Sequence, residues 1–125
     1  MTAPSTYRLS GPKAFSNVFQ KATVSADASF KVLARNTGQP TARLGMAVSR
    51  KVDSRAVQRN RLKRVIRESF RAHYYSQTPH TALDFVVLPR RQAVTISNGQ
   101  LFEKLEQHWR RIDEKVNAMS SITER

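Results

Sequence analysis

The hydrophobic positions of this chain change period along its length, and each change marks an element. Around residues 12–21, Phe15, Val18, Phe19 and Ala22 fall along one side of a helix. Ser10-Gly11-Pro12 precedes it, with Ser10 able to cap and Pro12 suited to a first turn whose N–H groups are unpaired anyway. Their spacing alone assigns Phe15 and Phe19 to core packing. Val24 marks a short strand. Over residues 29–35, Phe30, Val32 and Ala34 alternate with Lys31, Leu33 and Arg35, the period of a strand with one buried face and one basic face. Asn36-Thr37-Gly38-Gln39-Pro40 is a turn. The partner strand, 43–49, sends Leu44, Met46 and Val48 to the core and Gly45, Ala47 and Ser49 to the opposite side. Small side chains there form a floor for a large ligand or let a helix pack close; both readings stand.

The period then switches to helical. Leu62, Val65, Ile66 and Phe70 recur at spacings of three and four, behind a cap at Asp53 or Ser54. Asn60, Arg64, Arg67 and Arg71 fall within roughly 60° of one another on the other side. Arg59 points between Ile66 and Phe70, at the seam between helix and body. Arg55 lies in the first turn, against the helix dipole. Residues 74–81 connect to 82–88, ALDFVVL, whose nearly continuous apolar run predicts a strand buried on both faces and stopped by Pro89-Arg90-Arg91. Ser97 and Gln100 form a capping box that opens a last helix to about residue 117. Leu101, Leu105, Ile112 and Val116 are its packing stripe, with Phe102 and Trp109 flanking.

Charge changes the picture. The chain of 125 residues carries 22 Lys/Arg against 9 Asp/Glu, a formal +13, while its 39% hydrophobic content is ordinary for one folded domain. Residues 49–71 hold nine Lys/Arg against Asp53 and Glu68, a net +7. With only Glu68 on the helix, pairing at i,i+4 cannot explain the arginines. Nucleic acid is the expected partner of such a field. An anionic membrane would require an exposed apolar face opposite the arginines, and that face reads as core. The absence of cysteine excludes disulfides and thiolate metal sites. The N-terminal sequence lacks the apolar run of a secretory signal, and no stretch approaches the ~18 apolar residues of a membrane span. A soluble, cytoplasmic protein is expected.

Chemistry is sparse. His73, His80 and His108 are scattered without metal-ligand spacing, Asp84 is a lone acid in an apolar strand, and there is neither a nucleophile elbow nor a Gly-rich phosphate loop. The chain reads as a binding protein with no catalytic residue and no metal site of its own.

Ser49-Arg50-Lys51, followed by Ala56-Val57-Gln58-Arg59-Asn60-Arg61-Leu62-Lys63-Arg64-Val65-Ile66-Arg67-Glu68-Ser69-Phe70-Arg71, resembles the signature of the protein subunit of bacterial ribonuclease P, in which an Arg-Asn-Arg box opens a basic helix. AFSNVF around Phe15 and Phe19, RLGMAVSRK, DFVVLPR and KLEQHWRR are similar to further parts of that family, so the resemblance spans roughly residues 8–112. It implies an α+β fold, an α/β sandwich of the ribosomal-protein S5 domain 2-like kind. The order is α-β-β-β-α-β-α, with a mixed sheet and a left-handed crossover through the basic helix, against the usual hand. The expected layout is an N-terminal arm at 1–9, one RNA-binding domain at 10–117 and a tail at 118–125.

The resemblance also implies a function. The family's RNA subunit removes the 5′ leader of precursor tRNA with Mg²⁺, and the protein binds that RNA in a 1:1 heterodimer and holds the leader, broadening substrate range. Neither a membrane nor DNA is an implied partner. Contacts to the catalytic RNA carry over to Arg55, Arg59, Asn60, Arg61, Lys63, Arg64, Arg67 and Arg71. The leader cleft carries over to Phe15, Phe19, Lys31, Leu33, Arg35, Ala47, Ser49, Arg50 and Lys51. Leu33 stands where some members have Tyr, which implies apolar contact in place of base stacking. Strand phasing independently puts Lys31, Leu33, Ala47 and Ser49 on open faces. A ribosomal-type protein that binds folded rRNA is the alternative from another class, and an autonomous nuclease is a third.

Overall fold

Over the described residues, 9, 11–36, 42–74 and 83–123 with side chains to 118, the computed structural model follows the expected order. It runs α1 (Pro12–Gln20), β1 (Thr23–Ala26), β2 (Phe30–Arg35), β3 (Arg43–Met46), α2 (Ala56–Tyr74), β4 (Asp84–Pro89), a 3₁₀ turn (Arg91–Thr95) and α3 (Asn98–Thr123). One mixed sheet has the order β1-β2-β4-β3. β2 is antiparallel to both β1 and β4, whereas β3 and β4 are parallel and joined through α2. The apolar run of β4 is explained by its place: it has a strand on each side and cover above and below, with Phe85, Val86 and Val87 fully buried.

One face of the sheet carries the large core. Phe30, Val32 and Ala34 of β2, Leu44 of β3, and Phe85 and Val87 of β4 pack under Leu62, Val65, Ile66 and Phe70 of α2 and Leu101, Leu105 and Ile112 of α3. Trp109, expected at the flank of α3, is instead fully buried at its centre. Its ring stands edge-on to Phe70 and Phe85, with centroids 5.8 and 5.6 Å away, and its Nε1–H donates to Ser69 Oγ at 2.8 Å. A hydrogen-bond acceptor on α2 is what lets so large a polar-tipped ring lie inside.

The opposite face is thinly covered, among the described residues by α1 and Leu9. Leu9, Val18, Leu33 and Val86 form its small buried cluster, with Phe15 half-buried against it. Leu9 N–H also donates to Leu44 O at 2.8 Å, so the folded body begins one residue inside the expected N-terminal arm. A Cβ on Gly45 would sit 2.7 Å from Phe15 Cζ, so close helix packing is the reason for glycine at that position. Ala47 and Ser49, further along the same side, are exposed.

Several boundaries differ from expectation. Gly11, at φ 91°, is the N-cap of α1 and makes no side-chain capping bond; glycine tolerates that dihedral and Pro12 then fixes the first turn. β3 ends at Met46, although Ala47 N–H still donates to Val87 O at 3.0 Å. Beyond the expected strand stop at Pro89-Arg90-Arg91 the chain makes a 3₁₀ turn, Arg91–Thr95. α3 continues to Thr123 through most of the expected tail, behind the capping box as drawn: Gln100 N–H donates to Ser97 Oγ at 3.2 Å and Ser97 N–H to Gln100 Oε1 at 3.0 Å. The arm at 1–8, Ser10, the turn at 37–41 and the connector at 75–82 lie outside the described residues.

Candidate nucleic-acid interface

The basic helix is started by a carboxylate one step outside it. Asp53 Oδ1 accepts Arg55 N–H at 2.7 Å, and Arg55 O takes the first helical bond, from Arg59 N–H at 3.2 Å. Arg55, not Asp53 or Ser54, is therefore the residue at the cap. Its side chain pairs with Asp53 at 2.8 Å, which offsets the unfavourable dipole. The Arg55 side chain, then its backbone N–H, hold the Asp53 carboxyl down at about 2. Arg59 is half-buried at the seam and donates to Asp53 O at 3.0 Å and Ser54 O at 2.7 Å, clamping the turn that leads into its own helix.

The other arginines divide into two groups. Arg61 faces the body: its Nε donates to Gln58 Oε1 at 3.0 Å, one η nitrogen to Asn98 Oδ1 at 2.6 Å and Ile96 O at 3.4 Å, and the other to Val94 O at 3.1 Å. A guanidinium has five N–H groups, so this side chain is largely used up. The expected contact with the catalytic RNA thus falls on a side chain that is already bound within the fold. By contrast Asn60 and Arg64 are exposed, and Lys63, Arg67 and Arg71 are half-exposed, with no side-chain partner for any of these cations among the described residues. Arg67 Nε is buried and unpaired, a local cost that packing does not return. Val57, 77% exposed, lies on the same outward side.

The sheet places the expected cleft residues in rows. Across β1-β2-β4-β3 on the α1 side, one row is Val24, Leu33, Val86, Gly45 and the next is Ala26, Lys31, Leu88, followed on the β3 side by Ala47. α1 covers the first row, which leaves Leu33 4% exposed and corrects the expectation that it faces open space. The second row is open: Lys31 and Ala47 are exposed and Leu88 half-buried. Phe19 stands 49% exposed on α1 and Phe15 half-exposed above Gly45. Arg35 is half-buried and donates to Asn17 O at 2.5 Å, so it ties α1 to the sheet. Asp84 is not a lone acid, because Arg43 grips it through two bonds of 2.7 and 2.6 Å.

Arg50 and Lys51 are exposed at the end of the cleft row. They join Val52, Asp53, Ser54, Arg55 and Arg91 around an open pocket of about 380 Å³. Arg91 reaches it from the 3₁₀ turn, its Nε donating to Lys51 O at 2.8 Å. Sequence reading missed this residue because a basic pair after a strand carries no periodicity.

Two histidines are structural. His73 Nδ1 lies 3.2 Å from Glu106 Oε1 and Nε2 2.8 Å from Asp113 Oδ2, whose other oxygen accepts from Tyr74. Burial pulls the His73 pKa down, but the Asp113 hydrogen bond and the Glu106 charge outweigh it and leave it raised. His108 runs the other way. Burial holds its pKa low, Ser25 Oγ lies 2.7 Å from Nδ1 and Asp27 Oδ2 2.9 Å from Nε2. These pairs fasten α3 to α2 and to the β1–β2 hairpin. Among the described residues, no group of three His, Cys, Asp or Glu is arranged to hold a metal ion, and no helix is long and apolar enough to cross a membrane.

The family model for ribonuclease P matches residues 3–113. The ribonuclease P protein component of Methylococcus capsulatus is 39% identical over 118 residues, covering 94% of this chain and 90% of that protein. The solved RNase P protein of Staphylococcus aureus superposes with a TM-score of 0.74 at 31% identity, over 83% of this chain and 93% of its own. That of Thermotoga maritima gives 0.72 at 32%, over 84% and 96%.

Proposed function

This chain belongs to the ribonuclease P protein family, and from that premise we propose that it is the protein component of a tRNA-processing ribonucleoprotein. It binds the RNA subunit and the 5′ leader of precursor tRNA, assists endonucleolytic removal of the leader and broadens the range of precursors accepted. The observation that carries this reading is the division of α2: one side is sealed into the core, while Asn60, Lys63, Arg64, Arg67 and Arg71 face outward without acidic partners among the described residues. Such a surface supports contact with the phosphates of the RNA subunit, in a 1:1 complex whose affinity falls steeply with salt.

The second surface, Phe19, Phe15, Lys31, Ala47, Ser49, Arg50 and Lys51, supports a single-stranded leader. Exposed aromatic rings over a floor of small side chains give sequence-tolerant contact, and the flanking cations neutralise phosphates. Catalysis belongs to the RNA subunit with its Mg²⁺; the protein contributes binding and orientation in the cytoplasm. Cleavage of a precursor tRNA by the catalytic RNA at low Mg²⁺, with and without this protein, tests the reading. Faster cleavage or tighter precursor binding is expected. No change in either sinks it.

A further inference from the structure

Side chains on the α1 side of the sheet fall in rows across the strands. The row under α1, with Leu33, Val86 and Gly45, separates the open row of Lys31, Leu88 and Ala47 from a charged row of Arg35, Asp84 and Arg43. Lys31 and Arg35 lie on one strand, about 13 Å apart at the usual rise per residue. Arg35 therefore stands across α1 from the open row. In the charged row Asp84 is buried, and Arg43 takes both of its oxygens at 2.7 and 2.6 Å. With that acid matched, the half-buried guanidinium of Arg35 turns to the helix and donates to Asn17 O at 2.5 Å.

The helix has need of that bond. At nine residues α1 is shorter than an isolated helix that holds together in water. Its N-cap, Gly11, makes no side-chain bond, and its last turn contains no basic residue to meet the negative end of the helix dipole. Arg35 brings that cation from β2. The apolar anchors of α1 are Phe15 against Gly45 and Val18 in the small buried cluster. Burial of that kind is non-directional, whereas a hydrogen bond fixes an angle. Phe19, 49% exposed, follows Asn17 by two positions in the same turn. We propose that Arg35 is a positioning residue for the leader surface: it caps α1 from the side away from the open row and sets how Phe19 is presented, without touching the leader. The proposal rests on the leader reading above and deepens it, moving Arg35 from direct contact to support.

Binding of a precursor tRNA to the assembled holoenzyme, beside the same tRNA without its leader, decides it. Arg35→Met weakens precursor binding about fivefold and leaves the leaderless tRNA and the affinity for the catalytic RNA unchanged. The salt slope of precursor binding stays as in the wild type. Arg35→Lys, which keeps a cation at the helix end, restores most of the loss. A slope smaller in magnitude by about 0.7, as for one lost phosphate contact on a single strand, makes Arg35 a direct contact and overturns the positioning role. A double-mutant cycle tests the route through the ring. Arg35→Met has little further effect beside Phe19→Ala; equal losses in both backgrounds overturn the proposal. Hydrogen exchange reads the cap without RNA. Amides of α1 exchange faster in Arg35→Met while those of α2 and α3 do not; unchanged exchange in α1, or faster exchange in all three helices, overturns it. Unchanged precursor binding in Arg35→Met, while Phe19→Ala weakens it, overturns the proposal and leaves the leader reading intact. Phe19→Ala without effect sinks the leader reading instead, and the exchange result alone then judges the hold of Arg35 on α1.

Discussion

The two faces of the sheet are covered to different depths. Under α2 and α3 lies an aromatic-rich core with Trp109, Phe70 and Phe85 fully enclosed. Under the nine-residue α1 lie four buried side chains, and the next row of the sheet is left open. Burial is what stabilises a domain of this size, so the deep face carries the fold and can leave the shallow face free for a ligand. A surface proposed to admit a polynucleotide chain cannot also be a closed core.

The contrast can be broken most directly in the deep face. Trp109→Ala should cost about 3–5 kcal/mol by loss of packing and of the bond to Ser69, read as a shift of the urea midpoint. Val18→Ala, its counterpart under α1, should cost about 1–3 kcal/mol. Equal losses would mean that the two faces share the stability. Next in size is Gly45→Ala, whose methyl group forces Phe15 and α1 away from the sheet at about 1–3 kcal/mol. It should impair binding of a leader-bearing precursor while leaving affinity for the catalytic RNA unchanged; a loss for both RNAs would join the surfaces that the fold separates.

The histidines sharpen the contrast within the deep face itself. His73 has a raised pKa, so its contribution is complete below the ordinary histidine value and is lost as pH rises through the folded one. His108 has a lowered pKa, so its contribution is present above the ordinary value and is lost as pH falls. The two opposing slopes partly cancel. His73→Gln should therefore leave a protein that weakens as pH falls below about 6.5, and His108→Gln one that weakens as pH rises above it. Thermal melts across that range would expose slopes of the wrong sign. The smallest stability effect belongs to Arg64→Ala, within about 0.5 kcal/mol, although its affinity for catalytic RNA should fall with a shallower salt dependence.

The elements that obey a simple period were legible from the residues. Alternation placed Phe30, Val32 and Ala34 in the core, and the helical spacing separated Leu62, Val65, Ile66 and Phe70 from Asn60, Arg64, Arg67 and Arg71. The capping box at Ser97 and Gln100 was legible because its two bonds join residues three apart. What escaped depends on partners distant in sequence. Leu33 alternates as an outward residue, and only the path of α1 covers it. Arg61 looks like any other arginine of its box until Val94, Ile96 and Asn98 are brought beside it. His108 and Trp109 interrupt the aliphatic stripe of α3, and each is tolerated by a hydroxyl on another element, Ser25 or Ser69. Arg91 sits on a turn with no repeating pattern.

The parallel pairing of β3 with β4 has a consequence for how the molecule comes together. β4 must slot between β2 and β3, and the chain linking β3 to β4 is the basic helix itself. The sheet therefore closes only after a long excursion of the chain, an arrangement that slows folding. That excursion carries most of the mutually repelling charge of a +13 protein. Counter-ions that compete with RNA for the finished surface would help the nascent chain to close it, so the same salt acts against the complex and in favour of assembling its protein half.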